Sequence, residues 1–250
     1  MLKMSIITAV YNRHDTIGRA IQSVRDQSYP QIEHVIVDGG STDGTLLELE
    51  KDRYAGLTIV SEPDEGIYDA LNKGLALVSG DVIGFVHSDD VLVNDKVIAS
   101  VMDVFSREDV DIVYGDAVFF EKGKFGSNIR KYVSGEFSAR RLAWGWMPAH
   151  PAMFIKKQVY EKYGNFRTDY KIAADYEFLC RIAVDGLIRS HYLPDTLVKM
   201  QVGGASSRGF KSTVVVTREA LRGCLSNNIN TNIFMILSRY PKKLMQRFLR

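Results

Sequence analysis

The sequence is poor in cysteine, with only Cys180 and Cys224 in 250 residues. Neither stands at zinc-ligand spacing and the two offer no disulfide framework, which points to a reducing, intracellular setting. Long hydrophobic runs are also missing. No window approaches the roughly 18 apolar residues of a membrane span. The opening MLKMSIITAVYN holds an apolar stretch too short for a signal-peptide core. A cytoplasmic protein is expected, with its first strand almost at residue 1. Charge of one sign does not dominate: 32 basic residues face 30 acidic ones, a net charge of +2. That balance excludes a protein that holds nucleic acid by charge alone. Prolines number 6, no Gly-, Ser- or Pro-rich linker divides the chain, and no internal repeat is visible. One absence is local: no acidic residue follows Glu219, while Arg222, Arg239, Lys242, Lys243, Arg247 and Arg250 do. What remains, 46% apolar and 25% charged residues, is an ordinary folded composition with enough apolar material for one large core or two small ones.

The first hundred residues alternate between strand and helix patterns. SIITAV (5–10) is short and β-branched, as in a buried strand. Asp15 and Thr16 can cap a helix whose apolar positions Ile17, Ala20, Ile21 and Val24 fall at helical spacing. HVIVDGGSTDGT (34–45) is a second strand running into a Gly-, Ser- and Asp-rich turn, and a short helix is expected around LLELEKD. LTIVSEP (57–63), DVIGFVHSDD (81–90) and VDIVYGDAVFF (110–120) read as further strands. IYDALNKGLALVS (67–79) and VNDKVIASVMDVFS (93–106) read as helices between them. This order predicts βαβ units and a mostly parallel sheet flanked by helices. Beyond residue 120 the alternation fades into a hairpin or loop (121–132) and an aromatic stretch turning strand-like (140–157). A helix within 168–186 and an extended run (188–204) follow.

In such a sheet, ligands bind beyond the carboxyl ends of the strands. Those ends carry Tyr11 and Asn12, then Asp38, then Ser61 and Glu62, then Ser88, Asp89 and Asp90. Any one of them could be a loop cap. Four such ends together argue for a binding rim. Ser88, Asp89 and Asp90 supply hard oxygen ligands of the kind Mg²⁺ or Mn²⁺ prefers, and such ions need only one or two carboxylates.

At this point the residues resemble a known family. SIITAVYNRHDTIGRAIQSVRDQSYPQIEHVIVDGGSTDGT, SEPDEGIYDALNKGLALVSGDVIGFVHSDD, AHPAMFIKK and AADYEFLCR, in that order, resemble the family 2 glycosyltransferases, across roughly residues 3–185. The resemblance implies a GT-A fold and an inverting, metal-dependent transfer from a nucleoside diphosphate sugar, UDP-linked above all. The expected acceptor is a glycan or a lipid-linked glycan of bacterial surface polysaccharide assembly. The family's domain would span 1–211, with a nucleotide-sugar half (1–115) and an acceptor half (116–211). Ser88, Asp89 and Asp90 match the DxD-type motif, with His87 where the family often has a further Asp. Asp89 is the expected principal metal ligand and Asp90 its helper, the alternative being that both cap the helix at 93–106. Asp38 matches the acceptor for the donor base, or only caps its turn. Glu62 and Asp64 belong to the nucleotide pocket. Lys73 either reaches the diphosphate or is an ordinary exposed lysine, and Tyr11 either stacks on the base or joins the core. Asp175 matches the general base, with Ala174 where the family often has Glu. His150 is a phosphate or acceptor candidate. Trp146 either stacks on a sugar face or packs in the core.

The tail from 212 to 250 is expected as a basic extension. Leu244, Met245, Phe248 and Leu249 form an apolar stripe among Lys242, Lys243, Arg247 and Arg250, a pattern of membrane-surface helices. The same helix could instead pack back on the domain. Two further readings stay open. A nucleotidyltransferase would show a glycine-rich basic loop after the first strand, where this chain has YNRHDT. A non-catalytic sugar-nucleotide-binding module would not need Asp175 and a metal together.

Overall fold

The computed structural model describes residues 1–51, 56–124, 126, 128–203 and 209–240. The chain opens with β1 (Met4–Val10), buried at every position, then α1 (His14–Arg25) and β2 (Ile32–Asp38). Short α2 (Thr45–Leu49), the exposed β3 (Thr58–Ser61), α3 (Ile67–Leu77) and β4 (Val82–Phe85) follow. β2 and β4 flank β1 in parallel, and β3 joins β2 in parallel. This is the βαβ half that the alternation predicts.

The second half changes direction. β5 (Val91–Leu92), α4 (Val97–Arg107) and β6 (Ile112–Phe120) lead into β7 (Asn128–Tyr132), a hairpin partner of β6. After α5 (Ala139–Ala143), β8 (Met153–Lys156) enters between β4 and β6, antiparallel to both. Then come α6 (Lys157–Tyr163), α7 (Ala174–Ala183) and β9 (Ser190–Gln201), which runs parallel to β6. The order across the sheet is β3-β2-β1-β4-β8-β6-β9-β5, with β7 on β6. The parallel run is thus concentrated in the first half, and antiparallel β8 stitches the second half to it.

Two expected helix starts move. α1 begins at His14, before Asp15 and Thr16, and its first amide is held by Asp43 Oδ2 at 3.2 Å. The helix expected at 93–106 begins at Val97: Val91 and Leu92 pair with β9, and the Val93 amide continues that contact by donating to the Leu197 carbonyl at 3.1 Å. Asp89 and Asp90 therefore cap no helix.

The core lies on both faces of the sheet. One cluster joins Ile7, Phe85, Met153 and Tyr160 to the α7 residues Phe178 and Leu179. It also takes in Ala220 and Cys224 of α8 (Phe210–Ser226), Ile229, and Ile236 of α9 (Ile233–Leu237). The described part of the segment expected as an extension from 212 is therefore built into this core. The cysteines, 44 positions apart, meet there as free thiols with Sγ atoms 3.8 Å apart. Among the described residues no helix is long and apolar enough to cross a membrane. The basic stripe at 242–250 lies outside the described residues.

Candidate active site

A cavity of about 670 Å³ opens where β1 and β4 end and α3 and α7 begin. Tyr11, Asn12 and Arg13 form one wall, and Asp64 and Tyr68 another. His87 to Asp90 and His150 lie along it, followed by Lys171 to Ala173, Asp175 and Tyr176. A second cavity, lined by Asn12, Arg13, Asp43, Asp89 and Lys122 among others, adjoins it.

The rim after β1 is shaped by Asn12, whose φ of 50° lies in the left-handed region that Asn tolerates better than most residues. Its side-chain oxygen accepts from the Thr42 amide at 2.8 Å, and its own amide donates to Ser41 Oγ at 2.8 Å. That locks the β1 loop to the β2 loop and leaves Tyr11 56% exposed, so its ring is not core. Asp38 is fully buried. Its Oδ2 accepts from the Gly40 and Ser41 amides and the Ser61 hydroxyl at 3.1, 3.0 and 2.7 Å. It is a loop organiser that does not reach the cavity wall, and its Oδ1 has no partner. Asp64 does reach the wall, with Oδ1 accepting from the Gly66 amide at 2.9 Å. Gly39 makes room for it: a Cβ there would lie 2.2 Å from Asp64 Oδ2.

Two expected donor contacts are turned elsewhere. Lys73 pairs with Glu62 at 2.9 Å and Asp69 at 3.3 Å and donates to the Pro63 carbonyl at 2.8 Å. Glu62 and Lys73 thus neutralise each other outside the cavity wall. Trp146 is also removed from the site. It is 6% exposed, stacks on Tyr132 with centroids 4.8 Å apart, and donates through Nε1 to the Ser134 carbonyl at 3.0 Å. That is the core alternative for this ring.

The β4 end separates its two aspartates. Asp90 donates its amide back to the His87 carbonyl at 3.0 Å, closing a tight turn. Its side chain is 3% exposed, and Oδ1 accepts from the Gln201 amide at 3.1 Å, tying the turn to β9. Burial, with the Asp89 charge beside it, raises the Asp90 pKa well above the carboxylate range. Asp90 also lines the cavity, but its side chain is nearly enclosed and Oδ1 is committed to the Gln201 amide, so it is less open to an ion than Asp89. Asp89 is half-buried, lines both cavities and has no hydrogen bond or ion pair among the described residues. Together with Ser88 in the same wall, it is the donor that fits a hard divalent cation completed by water and phosphate oxygens. Among the described residues no cluster of three or more His, Cys, Asp or Glu could hold a metal by itself.

His87 and His150 lie deeper, with rings 5.9 Å apart. Burial pushes the pKa of each down to about 4, His150 adding to the effect at His87 while Asp89 and Asp175 oppose it. Both are neutral at pH 7, so His150 offers no cation to a phosphate. It stacks on Phe85 at 5.0 Å, and His150 Nε2 and His87 Nδ1 lack partners. His87 feels the charges of both Asp89 and Asp175, and all three line the same cavity.

Asp175 sits in the first turn of α7, not at its cap. Its Oδ1 accepts from the Tyr176 amide at 2.8 Å and lies 3.0 Å from the Tyr68 hydroxyl, which also lies 2.6 Å from the Ile172 carbonyl. Burial raises its pKa, and these contacts partly offset that. Oδ2 makes no hydrogen bond to the described protein, so it is free to take a proton in the cavity. The residues before Asp175 are held from afar. Glu219 on α8 accepts from the amides of Lys171, Ile172 and Ala173 at 2.8, 2.9 and 2.9 Å.

The family model described as "Glycosyl transferase family 2" matches residues 5–164. This chain is a family 2 glycosyl transferase. It is 33% identical to an uncharacterized glycosyltransferase of Mycobacterium tuberculosis over 192 residues, 72% of this chain and 69% of that one. In structure it is similar to S. aureus TarS 1–349 in complex with UDP-GlcNAc, with a TM-score of 0.71 at 19% identity over 94% of this chain and 69% of that one. It is also similar to the mannosyltransferase PcManGT of Pyrobaculum calidifontis in complex with GDP-Man and Mn²⁺ (TM-score 0.65, 21% identity, 88% and 64% covered). These likenesses establish the GT-A-type fold of this glycosyltransferase.

Several residues of its site escape sequence reading. Arg13 lines both cavities beside Asp89, yet within YNRHDT it looks like any loop arginine. Tyr68 carries no signal within the helical stretch 67–79, and its hydroxyl meets Asp175 across 107 positions. Glu219 was notable only as the last acid of the chain.

Proposed function

We propose that this glycosyltransferase moves a sugar from a nucleoside diphosphate donor, UDP-linked, to an acceptor hydroxyl with inversion, using Asp175 as general base. The observation that carries this reading is one cavity lined by two carboxylates: Asp89, without a hydrogen bond or ion pair among the described residues, and Asp175, whose Oδ2 makes no hydrogen bond to them. The donor's diphosphate belongs beside Asp89 and Arg13, and its base against Tyr11 and the Asp64 wall. The ligands named for TarS and PcManGT, UDP-GlcNAc and GDP-Man with Mn²⁺, agree with a nucleotide-sugar donor and a divalent ion here. When bound at Asp89, such an ion would neutralise charge on the departing diphosphate.

The reaction then follows from the residues. Asp175 Oδ2 takes the proton of the acceptor hydroxyl as that oxygen bonds to the anomeric carbon. The bond from that carbon to the diphosphate oxygen breaks, and its electron pair leaves with the nucleoside diphosphate. Tyr68 and the Tyr176 amide keep Oδ1 fixed, so Oδ2 holds its aim. The acceptor is a glycan or lipid-linked glycan of surface polysaccharide assembly, and the basic residues after 241 suit contact with an anionic membrane that carries it.

A donor screen by released nucleoside diphosphate, with and without Mn²⁺ or Mg²⁺, tests the reading. Turnover of a UDP-sugar only with metal is expected, with Asp175→Asn retaining UDP binding and losing turnover by on the order of 10²–10⁴. Full activity of Asp175→Asn would remove the base assignment.

A further inference from the structure

The cavity lining holds a cation that the transfer chemistry above does not use. Arg239 follows α9 and lines the cavity with Gly145, Met147, Val216 and Ala220. It is 4% exposed. Its Nη2 donates to Thr217 Oγ1 at 3.1 Å and to the Tyr240 hydroxyl at 3.0 Å, and Nε is buried without a partner. Among the described residues no carboxylate forms an ion pair with it. The placement is tightly built: Gly145, at φ +72°, would with a Cβ come 3.2 Å from Arg239 Cδ and 2.8 Å from the Ile236 carbonyl. Tyr132, Asp175 and Tyr176 line the same cavity as the guanidinium.

A guanidinium cannot shed its charge, and it carries five donors in a planar fork. Among the described residues that of Arg239 meets two neutral hydroxyls and the Tyr240 ring, 5.0 Å from its Cζ, and no anion, so its charge is only partly compensated. The partner such a fork matches is an oxyanion, taken by two parallel N–H bonds. The neighbours of Arg239 in the lining, Gly145, Met147, Val216 and Ala220, come from the second half of the chain, whereas Arg13 and Asp89 come from the first. The wall around it, Met147, Val216 and Ala220, is apolar.

We propose that Arg239 forms an oxyanion subsite on the acceptor side of the cavity, so that the acceptor carries a phosphate or carboxylate near the hydroxyl that is glycosylated. Naming this anion as part of the acceptor rests on the transferase reading; the binding of an oxyanion by Arg239 does not.

The test uses the full chain saturated with UDP and Mn²⁺, so that the donor side is filled, titrated with methyl phosphate and, separately, with glucuronate. Heat of binding and the ¹⁵N–¹H resonance of Arg239 Nε are followed. Saturable binding of at least one probe is expected, with the Nε resonance shifting. Arg239→Met should weaken it roughly 10- to 100-fold, the range of a charge-assisted hydrogen bond, and Arg239→Lys less. The tighter probe tells whether phosphate or carboxylate is the carrier. No saturable binding, an unmoved Nε resonance, or equal binding by Arg239→Met would overturn the subsite. If Arg239→Met does not fold, the wild-type Nε resonance alone decides. Failure of UDP to bind would instead count against the transferase reading, and titration without UDP would still test Arg239.

Discussion

Exchanging Asp89 and Asp90 one at a time should separate a metal ligand from a structural acid. Asp90 Oδ1 holds the Gln201 amide and the group is almost fully enclosed. Asp90→Asn keeps that acceptor and removes a buried ionisable group whose charge burial disfavours, so the fold should stay within about 1 kcal/mol of wild type. Asp90→Ala leaves the Gln201 amide buried and unpaired, costing ~1–3 kcal/mol. At about 2–4 °C per kcal/mol for a chain of this size, its Tm should fall by roughly 2–12 °C. Asp89→Asn removes no hydrogen bond among the described residues and relieves the charge that raises the Asp90 pKa, so its Tm should hold or rise. It should nevertheless lose the metal-dependent stabilisation that a bound ion confers, about 2.7 kcal/mol at a hundredfold excess over Kd. Its turnover should fall on the order of 10²–10³-fold, as when a transition-state charge loses its partner. Thermal melts with and without Mn²⁺, beside nucleoside diphosphate release, read all of this. A folded Asp90→Asn protein that loses its Mn²⁺ response as completely as Asp89→Asn would refute the division of labour.

Two more outcomes can be checked. Glu219→Ala strips acceptors from three amides of the segment leading to Asp175. It should lower kcat more than it changes the donor KM and cost at least ~1.5–3 kcal/mol of stability, with Glu219→Gln restoring part of both; unchanged kcat would show that the grip does not position the base. For the tail, the full chain should co-sediment with anionic liposomes and a 1–240 truncation, which keeps Ile236 and Arg239, should not; equal pelleting would sink the membrane contact.

Much of this glycosyltransferase is written in local sequence. The β-branched runs at 5–10 and 34–38, with helical spacing between them, are enough to place a parallel sheet, because period and burial are local properties of a chain. Strand ends mark the rim for the same reason, and Asp89 stands on it, whereas Asp175, in the first turn of α7, was marked only by the family resemblance. The choice between neighbours was not local. Asp89 and Asp90 are the same residue type one position apart, and only pairing with β9 buries one of them. Lys73 could have faced a diphosphate until Glu62 and Asp69 were seen around it. Trp146 became core only when Tyr132 was laid flat against it.

Sequence by itself determined the kinds of group available: the hard oxygens at the strand ends, the two aspartates suited to metal and proton, and the lack of any acid after Glu219. Tertiary structure decided which of them are free. A carboxylate or guanidinium is chemically useful according to its burial and its partners, and those come from segments far away in the chain. Glu219 holds the loop before Asp175 from 46 to 48 positions away, and Arg239 is a buried cation only because α9 folds back over Gly145.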